Sequence, residues 1–114
     1  MNDLLKCTVK ELSAKLNKKQ ISALELTDAY LQRINEVDGT VNSYITVCNE
    51  HARAAAEKAQ KVIDSGNTNA LTGIPMSIKD NICTKDIRTT CASKMLEDFN
   101  PIYNATVINR LYDD

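Results

Sequence analysis

The residues Ala52, Ala55, Ala56, Ala59, Val62 and Ile63 recur at helical spacing, and this stripe of small side chains constrains the chain more than any other feature. It predicts a helix from about Asn49 to Ser65 whose apolar face can lie close against a neighbour. Glu50, Arg53, Glu57, Lys58 and Lys61 fall on the opposite, solvated face. Before the helix, residues 41–47, centred on Tyr44-Ile45-Thr46-Val47, are rich in β-branched and aromatic types and read as a strand. After it and a polar loop at 65–69, Ile74, Met76 and Ile78 alternate with Pro75, Ser77 and Lys79. That is the period of two of a strand with one buried face. Pro75 suits the first residues of such a strand, where no ladder N–H is needed. Strand, helix and strand in this order predict an α/β fold, with the alanine stripe laid on a sheet.

Two further helices precede this unit. Thr8-Val9-Lys10-Glu11 matches a capping box, and Val9, Leu12 and Leu16 follow as one stripe. A second box, Ser22-Ala23-Leu24-Glu25, opens a helix in which Leu26, Tyr30, Ile34 and Val37 share a face, with Asp38-Gly39 as its expected stop. The short link between them predicts a helical hairpin. Beyond Asn81 the periodicity fades into a short strand or loop near 86–89 and a single helical turn within 93–99, which Asn100-Pro101 ends. Asn104 is the expected cap of a last helix carrying Val107, Ile108 and Leu111 on one face.

Charge narrows the function classes. Lys and Arg number 14 against 15 acidic residues, mixed along the chain, so these residues carry no basic footprint for nucleic acid. No window approaches the ~18 apolar residues of a membrane span, and the first residues lack a signal-peptide core. A cytoplasmic protein is the expectation. Cys7, Cys48, Cys83 and Cys91 are widely spaced, with no CxxC, and read as free thiols. Cys48-Asn49-Glu50-His51 has no second ligand pair to complete a zinc site. No glycine-rich phosphate loop is present, and His51 reads as a surface or helix-end residue.

Lys79 is the one residue whose position suggests specific chemistry. It closes the predicted strand 74–79, on the same face as Ser77, with Asp80 on the other. A lysine there is either a solvated strand end or a group placed for a reaction. Burying an ammonium is costly and favours its neutral form, which turns a lysine into a usable general base or the activator of a hydroxyl. Ser77 is an available hydroxyl partner, although such serines commonly bond to backbone or water.

Leu71-Thr72-Gly73-Ile74-Pro75-Met76-Ser77-Ile78-Lys79-Asp80-Asn81 resembles the lysine segment of the amidase signature family. Thr89-Thr90-Cys91-Ala92-Ser93-Lys94-Met95-Leu96-Glu97-Asp98-Phe99, with Pro101-Ile102-Tyr103-Asn104-Ala105-Thr106-Val107, narrows the resemblance. It is similar there to the A subunits of glutamyl-tRNA(Gln)/aspartyl-tRNA(Asn) amidotransferases, along essentially all of its length. The resemblance implies the N-terminal part of an α/β/α fold, a mixed central sheet flanked by helices, with 1–39 as a leading helical hairpin and 40–114 as the start of the α/β core. It implies a Ser–cis-Ser–Lys triad in which Lys79 is the lysine and both serines lie beyond Asp114. Ser77 and Ser93 belong to the lysine-side motifs and are not the nucleophile. The implied activity is glutamine hydrolysis that supplies ammonia for converting Glu-tRNA(Gln) or Asp-tRNA(Asn). The implied partners are subunits B and C, glutamine and, through the complex, the misacylated tRNA, with no membrane. No cofactor is expected in this chain, while ATP and Mg2+ serve the assembled complex. These 114 residues by themselves are expected to be inactive and, with strand edges uncovered, to self-associate. The alternatives are a stand-alone amidase acting on another small amide and a non-catalytic α/β docking module.

Overall fold

The computed structural model describes residues 3–114. Among them are four α-helices: α1 (Val9–Asn17), α2 (Ala23–Val41), α3 (Asn49–Ser65) and α4 (Thr106–Asp113). Two 3-10 turns, Asp3–Lys6 and Lys94–Leu96, complete the regular structure, and the described residues contain no strand. The chain divides into two units. The first takes the described part of Met1–Ser43 together with Asn49–Pro75, and the second takes Tyr44–Cys48 together with Met76–Asp114.

In the first unit both capping boxes form. The hydroxyls of Thr8 and Ser22 accept the N–H groups of Glu11 and Glu25 at 3.3 and 3.1 Å. The two carboxylates accept the N–H groups of Thr8 and Ser22 in return, at 2.7 and 2.8 Å. The backbone bond from Ser22, and then its hydroxyl, hold the Glu25 carboxyl below its ordinary 4.5. A carboxyl whose folded value is depressed stabilises the fold above its unfolded value and loses that contribution as pH falls through the folded one. The start of α2 is therefore expected to loosen below about pH 4.5. Ser22→Ala should cost about 1 kcal/mol and weaken that acid dependence without removing it, since the Ser22 N–H bond remains, as followed by circular dichroism.

Helix α2 does not stop at Asp38-Gly39. It continues to Val41, and Asn42 takes the left-handed cap at φ 54° and ψ 46°. Asparagine tolerates that conformation nearly as well as glycine does. Asp38 still helps to end the helix: its carbonyl accepts from Asn42 and its carboxylate from Ser43, both at 2.7 Å.

Helix α3 has the predicted bounds, but its alanine face lies on α2 and not on a sheet. Ala23 N–H donates to Gln60 Oε1 at 2.9 Å, and Arg53 Nε donates to Asp28 Oδ1 at 2.7 Å, so α2 and α3 run antiparallel. The Gln60 bond satisfies a donor that the first turn of α2 leaves unpaired. The Arg53–Asp28 pair is about half exposed on both sides and adds little. The buried stripe is narrower than the sequence pattern: Ala56 and Ile63 are buried and Ala59 packs beside them, while Ala55 and Val62 face outward. With Leu12, Leu16, Ala23 and Leu26 they form the core. Gly73 closes this core at φ +82°, and a Cβ there would meet Ile63 Cδ1 at 3.1 Å and Leu16 Cδ1 at 3.3 Å. Glycine is required for both reasons.

The α/β expectation is overturned, and with it the mixed central sheet, because the described residues form helices and no strand. Residues 74–79 carry no regular structure, and no ladder joins them to a neighbour. Ile74 packs on the helical core, while Met76 and Ile78 are 48% and 39% exposed. Residues 42–48 are likewise irregular. A strand is defined by its partner as much as by its own side chains, and alternation alone does not supply the ladder.

The second unit is mostly irregular chain tied by single hydrogen bonds. Asp86 N–H donates to Pro101 O and Thr89 N–H to Phe99 O, both at 2.9 Å, and Ala105 N–H donates to Cys83 O at 2.8 Å. Asn104 does not cap α4; Ala105 is the N-cap residue and makes no side-chain bond. Asn104 Oδ1 accepts the Lys85 N–H at 2.7 Å and its Nδ2 donates to Asn109 Oδ1 at 3.1 Å, so it ties the loop at Lys85 to the last helix.

Candidate functional site

Lys79 lies in the second unit, at the end of the irregular run 74–79 and immediately before a turn. Its carbonyl accepts the Ile82 N–H at 3.0 Å. Its side chain is exposed, and no carboxylate among the described residues lies within ion-pair distance of its ammonium.

The residue after it is held from both its backbone and its side chain. Asp80 O accepts the Cys91 N–H at 2.8 Å, and Asp80 Oδ1 accepts the Thr90 N–H at 2.9 Å. The Thr90 hydroxyl donates to the other carboxylate oxygen and itself accepts the Ala92 N–H at 3.1 Å. Desolvation opposes the Asp80 charge. The bonds from the Thr90 hydroxyl and from the Thr90 and Ala92 N–H groups, with the Arg88 charge, outweigh it and hold the carboxyl below its usual range. Thr90 is buried. Cys91 and Ala92 both adopt left-handed backbone, at φ 52° and 55°. For side-chain-bearing residues that costs roughly 1–2 kcal/mol each, which the bonds to Asp80 and Thr90, including Ser93 N–H on Thr90 O at 2.9 Å, offset.

Arg88 makes a second tie. Its Nε donates to the Glu97 carbonyl, and its Nη1 donates to Thr46 Oγ1 at 3.0 Å. The Ser77 and Tyr44 hydroxyls meet at 2.5 Å. These bonds join residues 44–46 to the run before Lys79 and to the loop at 88–97.

The two sequence motifs, 71–81 and 89–99, thus meet through Asp80 and Thr90. Ser77 is committed to Tyr44, and Ser93 opens the Lys94–Leu96 turn without a side-chain cap bond. Asp80, Thr90 and Arg88 carry the local geometry, and sequence reading missed them as a group. The one available signal was a carboxylate directly after the lysine with a threonine pair ten residues on. Among the described residues no group of three or more His, Cys, Asp or Glu converges to hold a metal ion. The four cysteines are free, and burial pushes the Cys48 thiol up, away from the thiolate a metal would need. No helix among the described residues is long and apolar enough to cross a membrane.

The pattern of the Amidase family matches residues 25–114, which include Lys79, Asp80 and Thr90. The chain belongs to the amidase family. Relatives within it are similar along nearly the whole chain. A protein of Ruminiclostridium cellulolyticum, named as the A subunit of glutamyl-tRNA(Gln) amidotransferase, is 53% identical over 98% of this chain. Proteins of the same name from Dehalococcoides mccartyi and Thermoanaerobacter pseudethanolicus are 49% and 46% identical, over 97% and 98% of it. The amidase-family chain spans 23% of the length of each of these curated relatives.

Proposed function

We propose that this chain supplies the proton-transfer lysine of a glutamine-hydrolysing amidotransferase. In this reading Lys79 takes the proton of a serine hydroxyl through a bridging serine while the first serine attacks the side-chain amide of glutamine. The C–N bond breaks, the proton returns to the leaving nitrogen as ammonia departs, and water hydrolyses the acyl-serine to glutamate. Both serines are expected outside these residues. The ammonia would serve partner subunits B and C, which use ATP and Mg2+ to convert Glu-tRNA(Gln) or Asp-tRNA(Asn) in the cytoplasm. The described residues offer neither a glycine-rich phosphate loop nor a metal-binding group, so no step is assigned to ATP or metal here.

The observation that supports this reading is the match along nearly the whole chain to proteins carrying that name, with the lysine motif inside the family-matched residues. A chimaera tests it, with these 114 residues replacing the matching segment of the R. cellulolyticum protein. Together with partner subunits, tRNA and ATP, it should release ammonia from glutamine and form Gln-tRNA(Gln). The 114-residue chain by itself should release none above background. Ammonia release without any tRNA amidation would support the stand-alone amidase instead.

A further inference from the structure

We infer that Asp80 and Thr90 form a positioning pair that sets the direction in which Lys79 presents its amine. The inference rests on the proposed role of Lys79 and goes beyond it, to what holds that residue in place. The carbonyls on either side of the Asp80 Cα are both fixed, Lys79 O by Ile82 N–H at 3.0 Å and Asp80 O by Cys91 N–H at 2.8 Å. The Asp80 side chain is fixed as well, by the N–H and hydroxyl of Thr90. A residue anchored at its carbonyl and carboxylate leaves its neighbour little torsional freedom. The Cα–Cβ direction of Lys79 is therefore set by backbone bonds and by the Asp80 side chain.

The receiving loop is shaped for this task. Its two consecutive left-handed residues, Cys91 and Ala92, turn the Thr90, Cys91 and Ala92 N–H groups towards Asp80 and the Thr90 hydroxyl. The carboxylate itself receives the Thr90 N–H and hydroxyl, while Cys91 N–H goes to the Asp80 carbonyl and Ala92 N–H to the Thr90 hydroxyl. Charge-assisted bonds of this kind are stronger and more directional than neutral ones. A proton-transferring group must keep its geometry within a fraction of an ångström, and a displacement of about 1 Å can cost about 10²-fold in rate.

Three variants in the chimaera test the pair, each assayed for kcat, KM and pH dependence of glutamine hydrolysis, with folding followed by circular dichroism. Thr90→Val removes the hydroxyl and should lower kcat by about 10²-fold with KM within about threefold. Thr90→Ser restores the hydroxyl and should recover kcat to within about threefold of the unsubstituted protein. Asp80→Asn is isosteric and keeps one acceptor, so it should lower kcat by roughly tenfold and change the pH profile. If Thr90→Val does not fold, Thr90→Ser and Asp80→Asn decide the matter. An unchanged kcat and pH profile in folded Asp80→Asn would overturn the inference. So would a Thr90→Ser no more active than Thr90→Val, or losses confined to thermal stability. Lys79→Ala in the same chimaera separates the two ideas: if it is inactive while the pair variants retain full kcat, the positioning role alone fails. If Lys79→Ala stays active, the reading of Lys79 fails.

Discussion

Lys79→Ala in the chimaera is expected to lower kcat for glutamine hydrolysis by about 10²–10⁴-fold, the range that a positioned acid–base group contributes. KM should change little, because the amine moves a proton in the transition state and is not proposed to bind the substrate. Lys79→Arg should fail nearly as badly. A guanidinium remains protonated and cannot accept the serine proton, although it keeps much of the length. Steady-state ammonia release over a range of glutamine concentrations up to saturation gives kcat and KM for all three proteins. The pairing of a large kcat loss with a steady KM distinguishes lost proton transfer from lost substrate binding.

The second large effect concerns stability and lies in the helical unit. Leu26 is fully buried in the cluster made by Leu12, Leu16, Ala23, Ala56 and Ile63. Its neighbours are held by backbone and cannot readily collapse: Ala23 is bonded to Gln60, and Gly73 packs directly on Ile63 and Leu16. Leu26→Ala should therefore destabilise the chain by about 2–5 kcal/mol, through lost burial together with a residual cavity. In a urea titration the midpoint should fall while the slope stays constant. Val9→Ala, on the exposed side of α1, should stay within about 0.5 kcal/mol. A Leu26→Ala change of less than about 1 kcal/mol would show that this cluster does not carry the core.

Local rules explain what was readable. Both capping boxes follow from contacts within a few residues, Thr8 with Glu11 and Ser22 with Glu25, and such contacts survive whatever surrounds them. The stop of α2 was misplaced because glycine is the stronger general signal, whereas Asn42 with Asp38 provided the actual cap. The strands were misjudged for a different reason. Alternation at Ile74, Met76 and Ile78 specifies side-chain order, but a ladder needs a partner strand, and none forms among the described residues. The partner of the alanine stripe was equally hidden, since Ala56 and Ala59 fit a helix as readily as a sheet. At the candidate site the lysine stood out by its chemistry. The bonds of Asp80 to Thr90 span ten residues and two left-handed positions, and no periodicity encodes them.

Exogenous amines test the proton-transfer role most directly. Small alkylamines added to the Lys79→Ala chimaera should restore ammonia release from glutamine, in proportion to the free-base concentration and more strongly for the more basic amines, with no such increase in the unsubstituted chimaera. Lys79→Ala turnover within about threefold of the unsubstituted protein, or an equal recovery with neutral amides of the same size, would contradict a lysine that carries the proton.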